Sequence, residues 1–180
     1  LTVVKRRTVA FATLAAMCSS PRPGAAGADF ADVRDAAALM RQARALAGAG
    51  DGSVRLLSGK RLALLSPCKG DHSALEFVQA ATALGAHVSV VQPGLSARSS
   101  EREIDETARM LGQLYDAVEC QHLPAALVGR LARSAGIPVF AGLATAEHPI
   151  TALADALGGE VPPDEQRCRI LQAALLISIS

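Results

Sequence analysis

Short apolar runs alternate with amphipathic stretches from Arg61 to Leu157. Arg61–Ser66 is bounded by Ser-Gly-Lys and Pro-Cys-Lys-Gly, and His87–Gln92 is closed by Pro93-Gly94. Ala117–Gln121 and Pro138–Ala141 have the same character. Each is too short for a helix and reads as a buried strand. Between them, apolar residues at helical spacing predict helices over Ala74–Leu84, Glu103–Leu114, Pro124–Ala135 and His148–Leu157. Strands separated by helices of about 10–15 residues form successive βαβ units. The expected fold is therefore α/β: a doubly wound, four-stranded parallel sheet with helices on both faces.

Finer features follow from the same pattern. An earlier helix, Asp29–Ala49, is expected to face the core through Phe30, Val33, Ala37, Met40, Ala43 and Ala47. A turn at Asp51-Gly52-Ser53 follows it. Ser73-x-x-Glu76 has the form of a capping box. Ile104, Ala108, Leu111 and Leu114 are expected to share one face of the third helix, with Glu106 and Arg109 forming a solvated or interhelical pair. In open parallel sheets ligands bind beyond the carboxyl ends of the strands. That directs attention to the loops 67–72, 93–102, 121–123 and 144–148.

Composition removes several function classes. Eighteen Lys and Arg balance seventeen Asp and Glu, and aromatics amount to four Phe, one Tyr and no Trp. Neither a basic surface nor a stacking platform is available, so no nucleic-acid binding is expected. The cysteines at 18, 68, 120 and 168 lack CxxC pairing and read as reduced, packed residues.

Several stretches carry a family resemblance. They are Leu57-Ser58-Gly59-Lys60-Arg61-Leu62-Ala63-Leu64-Leu65, Ala83-Leu84-Gly85-Ala86-His87 and Ile104-Asp105-Glu106-Thr107-Ala108-Arg109-Met110-Leu111. Ile137-Pro138-Val139-Phe140-Ala141-Gly142-Leu143 and His148-Pro149-Ile150-Thr151-Ala152-Leu153-Ala154-Asp155 continue the series. Together they resemble the carbamoyl-phosphate-binding half of the ornithine and aspartate carbamoyltransferases. The resemblance implies a second, amino-acid-binding domain, yet only a few residues separate Gly158-Gly159 from Asp164. The stretch Asp164–Leu175 resembles the family's closing helix. The expected organisation is a signal-like or mis-started segment over 1–28 and one α/β domain over 29–180. In it the second domain is deleted between about 159 and 164 and the C-terminal helix is kept.

The resemblance also implies where ligand would sit. The family's Ser-x-Arg-Thr-Arg phosphate loop corresponds to Gly70-Asp71-His72-Ser73-Ala74, without either arginine and with Lys69 just before it. The arginine after the third strand corresponds to Gln121, and the threonine beside it to His122. His148 matches the family's histidine at the carbamoyl oxygen, and Thr151 replaces its glutamine. The candidate ligand-binding residues are thus Lys69, Gly70, Asp71, His72, Ser73, Gln121, His122, His148 and Thr151, with His148 as a catalytic remnant. Charge-assisted Arg–phosphate contacts contribute ~1.5–3 kcal/mol each, and Gln or Ala does not replace them. The expectation is a domain without transferase activity of its own, acting through assembly or regulation. Two alternatives stand beside it: a small-molecule binder of altered specificity, and a residual transferase completed by another subunit. A homotrimer, or a hetero-assembly with a full-length carbamoyltransferase, is the implied partner arrangement.

Other site chemistries are weaker. Cys68, His72, Cys120, His122 and His148 fall near strand ends, a composition that suits zinc. Neither HExxH nor paired CxxC spacing is present, so no metal and no other cofactor is expected. Cys120 is expected to point into the core with His122 on the same face. Asp71, His72 and Ser73 are consecutive and do not read as a hydrolytic triad. Arg167 is expected to dock the last helix.

The first 28 residues place Lys5-Arg6-Arg7 before the apolar run Thr8–Cys18 and the small residues Gly24–Ala28. That is the layout of a secretory signal, too short to span a bilayer. Because the folded part resembles cytoplasmic enzymes, a cytoplasmic location without membrane contact is expected. Export is the alternative if the segment is a true signal.

Overall fold

The computed structural model describes residues 33–48, 55–66, 70–92, 94–157 and 162–179. The segment 1–28, the turn 51–53, Cys18, Cys68, Lys69 and the junction 158–161 lie outside the described residues. The chain order is α1 (Val33–Gly48), β1 (Arg61–Leu65), α2 (His72–Ala83), β2 (His87–Val91), α3 (Glu101–Leu114) and β3 (Ala117–Cys120). It continues with α4 (Ala125–Ala135), β4 (Val139–Ala141), α5 (Thr151–Leu157) and α6 (Pro163–Ile179). The strands form one sheet in the order β2-β1-β3-β4, and every pairing is parallel. The α/β class and the doubly wound topology are as the alternation requires.

Side-chain alternation along the strands divides the core into two layers. Leu62 and Leu64 of β1, Ala117 of β3 and Phe140 of β4 join a cluster with α1, α2, α5 and α6. Ala63, Leu65, Val118, Cys120 and Val139 point the other way, against α3 and α4. The chain steps outward from β1 to β2, then crosses back over β1 to reach β3. Right-handed crossovers in opposite directions put α2 and α3 on opposite faces. The reversal leaves a crevice between the carboxyl ends of β1 and β3, where such sheets bind ligands.

Helix α6 completes the first layer. Ile170, Leu171, Ala173, Ala174, Leu175, Leu176 and Ile179 are all buried, and the helix packs on α1, α2 and α5. At its start, Arg167 Nη2 donates to Glu76 Oε2 of α2 at 2.8 Å. This is the docking role expected of Arg167.

Several local expectations are corrected. Asp71, not Ser73, is the N-cap residue of α2, so the helix begins at His72. The Ser73 hydroxyl donates to Asp71 Oδ2 at 2.6 Å, and Glu76 turns to Arg167, so no capping box forms there. The capping box is at Ser100 and Glu103 instead. It starts α3 two residues earlier than the expected Glu103, through Ser100-x-x-Glu103, a signal that was legible in the sequence. Glu106 pairs with Arg102 at 2.8 Å rather than with Arg109, because the i,i+4 spacing brings those two together. Leu114 is exposed, since α3 ends there. On α1 the buried face is Leu39 and Ala43, with Met40 and Leu46 packed beside them. Ala37 and Ala47 face outward. The helix expected over His148–Leu157 starts at Thr151, because residues 142–150 form successive turns.

Candidate functional site at the sheet switch point

The crevice is bridged by side chains from both of its walls. After β1, Asp71 leads into α2; after β3, His122 precedes α4. His122 Nε2 lies 2.6 Å from Asp71 Oδ2, across 51 residues of sequence. The same carboxylate oxygen accepts from Ser73 Oγ. The hydrogen bond from His122, followed by that from Ser73, holds the Asp71 carboxyl below its ordinary range. His122 reaches this position in the left-handed conformation, with φ of 55°, which a non-glycine residue rarely adopts. This corrects the expected alternation. Cys120 is buried, but β3 ends with it, and the reversed backbone at 122 brings the imidazole out to the edge. The one carboxylate oxygen binds both the serine and the histidine, so the His122 imidazole is engaged with Asp71 rather than with Ser73.

Gln121 takes the opposite course. Its side chain is fully buried, and its Nε2 donates to Glu119 Oε1 at 3.3 Å. Glu119 is buried in the central part of the sheet and was not singled out from sequence. Its position two residues before Gln121 on one strand face was the only signal available. Burial drives its carboxyl up to about 8, against the opposing pull of the Leu143 and Ala144 N–H groups and the Gln121 amide. Burial first, and the Glu119 charge second, push the Cys120 thiol up.

His148 and Thr151 share the turns after β4. Gly142 stands at φ of 71°, and its N–H donates to Cys120 O at 2.8 Å, extending the ladder. The Thr145 hydroxyl donates to Gly142 O at 2.7 Å, and the Thr151 hydroxyl to Thr145 O at 3.0 Å. His148 Nδ1 accepts from the Ile150 N–H at 3.3 Å. The threonine is thereby committed to holding the turn. Of the other candidates, Gly70 is exposed at φ of 81°. His72 opens α2 and lies 3.7 Å from Glu76. Asp71, Ser73 and His122 are therefore brought together, His148 and Thr151 form a second group, and Gln121 is drawn into the core.

Beside the second group, Leu143, Ile150, Thr151, Arg167 and Ile170 line a shallow cleft of ≈ 10 Å³. That is room for about one water molecule. Among the described residues no cluster of three or more His, Cys, Asp or Glu is arranged to hold a metal ion. Among the same residues no helix is long and apolar enough to cross a membrane.

Comparison with known proteins identifies the scaffold. Ornithine carbamoyltransferase from Actinobacillus pleuropneumoniae serotype 5b is 39% identical over 101 residues, covering 56% of this chain and 30% of that protein. The Cutibacterium acnes enzyme is likewise 39% identical over 102 residues, 57% of this chain and 30% of its own length. The chain thus matches under a third of the length of these relatives. The ornithine carbamoyltransferase structure from Pyrococcus furiosus superposes with a TM-score of 0.62 at 28% identity, covering 74% of this chain and 44% of the other. That from Thermus thermophilus gives 0.59 at 27%, covering 72% and 46%. The sequence profile described as aspartate/ornithine carbamoyltransferase, carbamoyl-P binding domain, matches residues 28–158, which leaves α6 beyond it. The chain belongs to the aspartate/ornithine carbamoyltransferase family, through its carbamoyl-P binding domain.

Proposed function

We propose that this chain is a non-catalytic carbamoyltransferase-like domain that acts through assembly with, or regulation of, a related protein. The observation that carries this reading is the Asp71 carboxylate. It stands at the N-cap position of the helix that opens the crevice, makes no capping bond of its own, and takes for itself the donors of Ser73 and His122. A dianion approaching that helix N-terminus meets a fixed negative charge in place of guanidinium groups. Gln121, at the position where the resemblance implies an arginine, is buried against Glu119 and offers no replacement. Catalysis of acyl transfer to an amine relies on positioning and on stabilising developing charge, and both supports are depleted.

A steady-state assay with carbamoyl phosphate and ornithine or aspartate tests the first half of the proposal. No turnover above background is expected, and enzyme-like rates would overturn it. Light scattering after size exclusion, alone and mixed with a full-length carbamoyltransferase from the same organism, tests the second half. A trimer or a mixed assembly is expected; a monomer that ignores the full-length enzyme would count against the assembly role.

A further inference from the structure

We propose that Glu119 is held as the neutral acid in a cyclic acid–amide pair with Gln121, and that loss of its proton is an alkaline switch acting on the carboxyl edge of the sheet. Two buried oxygens lack a hydrogen-bond partner among the described residues, and they belong to this one pair: Glu119 Oε2 and Gln121 Oε1. The other halves of the same two groups are already joined, Gln121 Nε2 donating to Glu119 Oε1. The Gln121 N–H donates to Leu65 O at 2.9 Å and so continues the ladder one residue past β3; residues two apart then share a face, and the carboxyl and the carboxamide lie side by side. The edge of a primary amide that faces a carboxyl presents one N–H donor and the carbonyl acceptor; a protonated carboxyl presents the same two in reverse. One proton on Oε2, donated to Gln121 Oε1, therefore satisfies both orphans at once. Exchanging the amide's oxygen and nitrogen does not achieve this, because it sets oxygen against oxygen.

The surroundings favour the neutral form. Both residues are fully buried, and neither lines the cleft beside α6. Across the sheet Glu119 faces Leu64 of β1 and Phe140 of β4. The turn after β4 contributes the Leu143 and Ala144 N–H groups, which pull towards the charged form but are outweighed by burial. No charged side chain is among the causes acting on the carboxyl. On the covering helices, Arg167 of α6 is paired with Glu76 of α2, which also meets His72; Arg167 reaches the turn only through Ala144 O. The titratable neighbour on the strand is Cys120, whose thiol is itself pushed up.

Raising the pH sends the Oε2 proton to solvent and leaves a carboxylate with no donor for Gln121 Oε1. The strain falls on the groups that cover the pair: the 142–145 turn, which leads to His148, and His122, which follows Gln121 directly. The sign follows from linkage. The folded-state value lies above the unfolded one, so the contribution to stability is full below pH 4.5 and is lost as the pH rises towards 8.

The test is carbon-13 NMR of the glutamate carboxyls in the full chain, compared with Glu119→Gln, whose second amide keeps both hydrogen bonds. One carboxyl, absent from the variant, is expected to titrate near 8 rather than 4.5. The amide signals of Leu143, Ala144 and His122 are expected to move with the same midpoint in the wild type and to stay still in the variant. A Glu119 carboxyl that titrates with the ordinary carboxylates would overturn the acid–amide pair. Static amides above its midpoint would overturn the switch. The wild-type titration decides the first point even if the variant does not fold.

Discussion

Two mid-helix glycines make opposite predictions for the same substitution. At Gly112 in α3, an added Cβ would lie 2.0 Å from the carbonyl oxygen of Ala135 in α4. Real Cβ contacts almost never fall below 3.0 Å, so Gly112→Ala must move one helix by about 1 Å. Overpacking of this kind costs ~1–3 kcal/mol, and a backbone carbonyl cannot swing aside as a flexible side chain would. Ala regains ~1 kcal/mol of helix propensity, which leaves a net loss of up to about 2 kcal/mol. At Gly129 in α4 the added Cβ meets only the end of Arg133, 3.9 Å away. Gly129→Ala keeps the propensity gain without a clash and should be stabilising by up to ~1 kcal/mol. The two variants should therefore differ by about 1–3 kcal/mol in urea denaturation, or roughly 2–12 °C in Tm for a chain of this size. Equal midpoints would refute the close approach of α3 and α4 on which the second core layer depends.

Removing one partner of the Arg167–Glu76 pair, as in Arg167→Met, should destabilise by about 1–3 kcal/mol, because the largely buried Glu76 loses its guanidinium partner. A double-mutant cycle with Glu76→Gln should recover much of that loss, and additive losses would show that the pair does not dock α6. Leu175→Ala, at a fully buried site in α6, should cost ~2–5 kcal/mol by denaturant titration. A smaller effect would mean that the first core layer does not depend on this helix. His122→Ala should raise the Asp71 titration towards 3.8, because the imidazole is the first cause of its depression. In the wild type the stability contributed by the Asp71–His122 contact is full above pH 3.8 and is lost as the pH falls through the depressed value. An unchanged Asp71 curve by NMR would show that His122 is not its partner.

The sequence alone determined the features that depend on local period and punctuation. Strands of a few apolar residues, helices of three turns and the parallel order follow from spacing that holds wherever the segment is placed. The runs quoted from Leu57 to Asp155 were enough to indicate the family. Burial on the less regular elements was less legible. In α6 apolar residues lie on most sides, so its sequence does not say which face is covered. At the end of β3 the polar pair Glu119 and Gln121 looks like an outward edge, yet α-helices cover both faces of a parallel sheet, and the pair is taken inside.

Only the tertiary structure decided what meets at the switch point. Asp71 and His122 are 51 residues apart, and nothing local says that one will bind the other. Their contact arises because β1 and β3 are neighbours, with their carboxyl ends on the same side. The start of α2 shows the same limit: Ser73 and Asp71 both suit its N-terminus, and the helix begins after Asp71, whose carboxylate makes no capping bond and binds Ser73 and His122. Local propensity acts within a few residues. Which charges meet, and which polar groups lose water, depends on how distant segments are stacked.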